Sequence, residues 1–161
     1  MKGKRLLLAG GLTLATMSSA AIAQARPMIA HSATATTVEL HETALGMILT
    51  NSEGFTLFEF TKDKKNKDSC QAISGCATIW PPLMTSGMPI AGSGVTQSKV
   101  GAIKLTAGGE QVTYGGRPLY LYSGNKAPEE TSYDAVKEFG GTWYAMNAKG
   151  KKVKPKKASG W

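Results

Sequence analysis

The chain carries one segment twice. Residues 54–64 (GFTLFEFTKDK) align with residues 116–126 (GRPLYLYSGNK), so that Leu57 meets Leu119 and Phe58 meets Tyr120, a shift of 62 positions. With one inserted residue, Trp80 then meets Trp143. The copies span about residues 44–90 and 102–150. Each is too short to bury a good core alone, so the two are expected to pack on one another as a single pseudo-symmetric domain.

The local pattern inside each copy is that of short strands. Gly46 to Thr50 is strand-like, Asn51 to Gly54 turn-like, and Phe55 to Thr61 a second strand. Ala102 to Thr106, Glu110 to Tyr114 and Arg117 to Tyr122 form a meander joined at Gly108-Gly109 and Gly115-Gly116. Gly-Gly loops suit primed hairpin turns, in which both central residues take positive φ. Trp143 to Met146 reads as one more strand. Helix is scarce: Ser69 to Ile79 and Ser132 to Phe139 are each expected to hold a short helical turn, the first stopped by Pro81-Pro82. The fold class is therefore mainly β, built from antiparallel hairpins and a meander, with short helical turns.

The ends of the chain differ from this body. Lys2, Lys4 and Arg5 precede an uncharged apolar stretch from Leu6 to Ile22, and Ala21-Ile22-Ala23 supplies a small-residue cleavage site. Residues 1–23 thus read as a secretory signal peptide. Its Gly, Thr and Ser content and the polar sequence after it argue against a retained membrane anchor. Residues 24–43 read as a linker, low in bulky apolar residues as far as Thr37, with strand-like pattern starting at Val38. The formal net charge is +8, and much of the surplus crowds the C-terminus at Lys149, Lys151, Lys152, Lys154, Lys156 and Lys157. Residues 151–161 are expected to be a solvated basic tail that makes weak contact with anionic envelope. No aromatic residues interleave with these lysines, so nucleic acid is not an expected partner.

The paired aromatic segments, the run Ser69-Cys70-x5-Cys76-Ala77-x-x-Trp80-Pro81-Pro82 after the first and Gly140-Gly141-Thr142-Trp143-Tyr144 closing the second resemble the bacterial secreted-repeat family. Its members are predicted lipoproteins of unknown function with a Tyr-x-(Phe/Trp/Tyr)-x-x-Asp motif. The resemblance covers about residues 44 to 150 and implies architecture and compartment, with no reaction. Three departures stand out. No lipobox Cys is present, so the mature protein is expected to be free in the periplasm or the medium and not lipid-anchored. Phe58 stands where the motif has Tyr, and Asn125 where it has Asp.

The residues with chemical potential are few. On a strand, Phe58 and Phe60 share one face and Leu57 and Glu59 the other, and Tyr120 and Tyr122 alternate with Leu119 and Leu121 likewise. Such rings form either a platform for a flat ligand or a core ladder. Phe58 and Asn125 favour the ladder, because neither can replace a titrating Tyr or Asp, whereas Asp63 and Asn125 both suit an Asx turn. Phe58, Phe60, Asp63, Trp80, Tyr120, Tyr122, Asn125 and Trp143 are thus read as structural. Cys70 and Cys76 are the only cysteines, and an oxidising compartment favours a disulfide over a redox switch or thiolate metal site. His41, Met47, Met84 and Met88 offer soft ligands to Cu(I), although isolated Met residues more commonly fill packing gaps. Asp63, Asn66 and Asp68 lack the Gly and closing Glu of a Ca²⁺ loop and read as a solvated turn.

No nucleophile-elbow, metalloprotease, P-loop or S-x-x-K signature is present. The chain is expected to be an exported, non-catalytic binding or structural module with no resident cofactor. The alternative is a periplasmic redox or copper-handling protein. Partner and oligomeric state are not legible.

Overall fold

The computed structural model describes residues 35–153; the expected signal peptide, most of the assigned linker and the lysines beyond Val153 lie outside them. The first copy opens with the hairpin of β1 (Thr37–Thr43) and β2 (Gly46–Asn51), in register from Val38 opposite Asn51 to Thr43 opposite Gly46. The assignment of residues 37–43 to the linker is thereby corrected, while residues 24–34 of it lie outside the described residues. Val38 and Leu40 alternate with polar residues, and pairing with β2 gives that alternation a face to bury. Thr43 closes the turn, its hydroxyl donating to Gly46 O and accepting from Leu45 N–H.

The motif strand follows as β3 (Phe58–Phe60), then a 3-10 turn at Cys70–Ala72 and the one-turn helix α1 (Cys76–Ile79). The chain continues through β4 (Met84–Thr85) and β5 (Ile90–Ala91), and β5 runs parallel to β1. The second copy repeats the opening with β6 (Val100–Lys104) and β7 (Glu110–Tyr114), then β8 (Arg117–Pro118). The expected Gly-Gly turns are present, with φ of 95° and 83° at Gly108 and Gly109, and 58° and 78° at Gly115 and Gly116. The last hairpin is β9 (Val136–Glu138) with β10 (Gly141–Ala145). Its first strand overturns the helical turn expected over Ser132 to Phe139. Gly140-Gly141 permits a reversal there, and the β-branched Val136 pairs with Trp143.

The described residues form three small sheets, ordered β2-β1-β5, β3-β10-β9 and β4-β7-β6 with β8 on β7. Both motif strands are shorter than the 55–61 and 117–122 read from the sequence. They meet at their equivalent residues: Phe58 N–H donates to Tyr120 O at 2.9 Å and Tyr120 N–H to Phe58 O at 3.0 Å. Antiparallel pairing of equivalent positions places a local two-fold axis between them.

That symmetry extends into two closed rings of backbone hydrogen bonds. Leu49 N–H donates to Met146 O (2.7 Å), Met146 N–H to Leu57 O (3.3 Å) and Leu57 N–H to Leu49 O (2.9 Å). In the other half, Val112 donates to Leu83 (2.8 Å), Leu83 to Leu119 (2.9 Å) and Leu119 to Val112 (3.0 Å). Each ring takes two residues from one copy and the third from the other. The segment after each tryptophan is thus exchanged between copies, and neither copy satisfies its own backbone groups alone.

The central pair of motif strands separates two buried clusters. Leu57 and Leu119 join Val38, Leu49, Leu83, Val100, Val112, Tyr114 and Met146 on one side. Phe58, Phe60 and Tyr120 join Ile48, Trp80, Trp143, Ala145 and both cysteines on the other. The side-chain alternation read from the sequence is what divides them.

Candidate functional site

Five of the motif rings, Phe58, Phe60, Trp80, Tyr120 and Trp143, have no solvent exposure. They pack on one another across the two-fold axis. Trp80 and Trp143 stack at 4.2 Å with an interplanar angle of 3°. Each tryptophan meets the first ring of its own copy edge-on, Phe58 at 5.2 Å and Tyr120 at 5.0 Å. Each also meets the second ring of the opposite copy, Phe60 at 4.1 Å and Tyr122 at 4.6 Å. Such pairs each add about 0.5–1.5 kcal/mol beyond their area burial. Trp80 Nε1 donates to Glu138 at 2.8 Å, whereas Trp143 Nε1 is buried without a partner among the described residues.

The polar end of the motif also works across the copies. Tyr120 donates its hydroxyl to Asp63 Oδ2 at 2.8 Å, and Ser69 N–H donates to Asp63 Oδ1 at 2.7 Å. Asp63 is buried, which corrects its reading as part of a solvated turn: the carboxylate faces Tyr120 from the other copy. Burial pushes its pKa up to about 6, against the pull of the Ser69 and Tyr120 donors. Burial and the Asp63 charge raise the Tyr120 hydroxyl as well. The equivalent pair in the other half is Phe58 with Asn125. Phe58 has no hydroxyl to give, and both polar atoms of the Asn125 amide are buried without partners among the described residues. By the two-fold equivalence, the two departures from the motif stand at the positions that Tyr120 and Asp63 join by a hydrogen bond in the other half.

Cys70 and Cys76 form a disulfide, with both residues fully buried in the aromatic cluster. The bridge ties the 3-10 turn to α1 ahead of Trp80. The soft-ligand candidates do not converge in the same way. His41 pairs across the hairpin with Ile48 and Met47 with Glu42, so their side chains leave opposite faces. The His41 ring lies between Glu39 (3.4 Å) and Glu129 (3.3 Å). Met84 lies in β4, Met88 follows in the loop before β5, and both are exposed.

A different set of residues forms a cleft that the sequence did not single out. Glu59, Thr61, Gly115, Arg117, Gly150, Lys151 and Lys152 line about 450 Å³. Glu59 sits mid-strand in β3 with its side chain 6% exposed, and Arg117 Nε approaches Glu59 Oε2 at 3.6 Å. Burial raises the Glu59 pKa, opposed by the charges of Arg117, Lys152 and Lys151. Residues 151–153 are not part of a solvated tail. Asn147 N–H donates to Lys151 O, Asn147 Oδ1 accepts from Lys149 and Lys151 N–H, and Val153 N–H donates to Ala145 O. This turn folds the chain back beside β10 and sets both lysines at the cleft. The available signal was the internal alignment, in which Glu59 and Arg117 occupy the positions of Leu121 and Phe55.

Compared with known families, residues 40–84 and 101–147 match one described as a secreted repeat of unknown function. The two matched segments coincide with the two copies that the fold interleaves. No curated protein and no solved structure matches the chain.

Proposed function

Since the chain belongs to the family of secreted repeats of unknown function, we propose that it acts outside the cytoplasm as a non-catalytic binding module. The two copies supply the scaffold, and the contact surface is the cleft around Glu59 and Arg117. One observation carries this reading. In a pseudo-symmetric fold the shared positions serve the packing, and this cleft is charged where the other half is apolar. A buried carboxylate opposite a leucine does nothing for the core, because burial penalises the charged form. Export is supported by the three-zone N-terminus and the family's secreted character. Among the described residues, no helix is long and apolar enough to cross a membrane.

The experiment is crosslinking in intact cells followed by purification of the protein, comparing wild type with the Arg117→Ala, Lys151→Ala double variant. A crosslinked species present with wild type and depleted with the variant is the expected result. Turnover of a substrate, abolished by one side-chain change, would overturn the non-catalytic reading. A partner captured equally by both forms would remove the cleft as its contact surface.

A further inference from the structure

Glu59 has one ion pair, at 3.6 Å, and no hydrogen bond from any described residue reaches its carboxylate. A carboxylate this buried is ordinarily satisfied by two or more donors. The fold supplies such donors elsewhere, as Ser69 and Tyr120 do for Asp63. At Glu59 the remaining acceptor sites open onto the cleft, where solvent or a ligand hydroxyl can reach them. The scaffold accepts Leu121 and Phe55 at the equivalent positions, so the charges are not a requirement of the packing.

Around this floor the chain places further cations. The backbone of Lys151 is fixed through the Asn147 turn, which sets its side chain at the cleft. Lys152 forms a bridge with Met146 and holds its ammonium 4.8 Å from the Tyr144 ring centroid. Tyr144 is itself the cross-strand partner of Glu59. Thr61 Oγ1 accepts from Thr142 N–H at 2.8 Å and retains its own proton to give. Gly115 and Gly150 border the cleft with φ of 58° and 75°, which leaves the backbone there free of side chains.

These groups select among ligands. A simple carboxylate satisfies the cations but offers Glu59 no donor, and a hydrogen phosphate, whose P–OH can donate, carries up to two negative charges toward Glu59. An ammonium suits Glu59 and is repelled by Arg117, Lys151 and Lys152. A neutral sugar supplies hydroxyl donors and brings no counter-charge to Lys151 and Lys152. Building on the binding-module reading above, we propose that the cleft binds an acidic saccharide. Its carboxylate pairs with Arg117 and Lys151 while a ring hydroxyl donates to Glu59. A volume of about 450 Å³ suits one or two sugar rings.

The test is titration of the isotopically labelled exported protein, followed by backbone amide shifts. The probes are glucuronate, a galacturonate trimer, glucose, acetate and inorganic phosphate. Glucuronate at about millimolar concentration should move the amides of Gly115, Arg117 and Gly150, with glucose, acetate and phosphate about tenfold weaker or worse. A trimer binding about tenfold tighter than the monomer assigns the site to a polymer, and equal binding assigns it to free sugar acids; either supports the proposal. Glu59→Leu, which copies the other half and so should fold, is expected to lower affinity about tenfold, as is Arg117→Ala. Phosphate or acetate binding as well as glucuronate, or unchanged affinity in Glu59→Leu, overturns the proposal. Absence of any shift with glucuronate overturns the ligand class, while the crosslinking comparison then decides separately whether the cleft contacts a partner.

Discussion

Replacing Asp63 with Asn removes an ionisable group while keeping both of its hydrogen bonds. Ser69 N–H can still donate to the side-chain oxygen, and the new amide can donate to the Tyr120 hydroxyl oxygen. In the folded protein the Asp63 pKa is raised from 3.8 to about 6, first by burial, with Asp68 adding a smaller push. Between those values the folded state holds a proton that the unfolded state has released. Stability should therefore fall as pH rises from about 4 to about 6, and this contribution should be constant on either side. The full span corresponds to about 3 kcal/mol. Glu59 and Asp134 are raised in the same direction by burial, so the wild-type slope is a sum from which Asp63→Asn subtracts one share. Urea unfolding at intervals from pH 4 to 7, followed by the fluorescence of buried Trp80 and Trp143, gives both profiles. The variant should gain on wild type by up to about 3 kcal/mol across this window, on top of a pH-independent offset from the substitution itself. Parallel profiles, or a gain that grows toward low pH, would refute the reasoning.

Three further outcomes follow from the same geometry. Phe58→Tyr restores the missing hydroxyl opposite Asn125 and should stabilise by up to about 1 kcal/mol in the same assay; a loss of stability would mean the two halves are not equivalent there. Replacing Cys70 and Cys76 with Ser should cost about 2 kcal/mol, the value for closing so short a loop, read as a lower urea midpoint that dithiothreitol does not lower further. Cutting the chain in the loop between Gly94 and Thr96 should give two fragments that are unfolded separately and regain β-type circular dichroism on mixing. Independent folding of either fragment would contradict the exchanged hydrogen-bond rings.

The architecture was legible where a local signal and the long-range repeat agreed. Gly-Gly pairs fixed two turns, and the alternation through residues 57–60 and 119–122 placed leucines and aromatics in separate clusters. The interleaving was not legible, because Met146 N–H to Leu57 O is a main-chain contact that leaves no side-chain pattern. Ser132 to Phe139 misled for a related reason: its strand exists through pairing with β10, a tertiary influence that outweighs local preference. Asp63 was misjudged because the neighbouring lysines suggest solvent, while its buried partner Tyr120 lies in the other copy. The cleft stayed hidden because Lys151 and Lys152 look like tail until the Asn147 turn returns them to the sheet. The one visible clue, Glu59 aligned with Leu121, acquires meaning only once both positions are known to be inward-facing.

The exchanged segments after Trp80 and Trp143 give the chain the anatomy of two protomers joined end to end. A true homodimer must do everything in duplicate: a carboxylate buried at one position is buried at two, and a favourable Tyr–Asp contact is obliged to recur. Joining the copies lifts that obligation. One half can then carry the buried Glu59 and its Arg117 partner while its counterpart carries Leu121 and Phe55, which halves the desolvation cost that the same cleft would impose on a symmetric pair. Covalent linkage also makes the exchange unimolecular, so the asymmetric assembly does not depend on protein concentration.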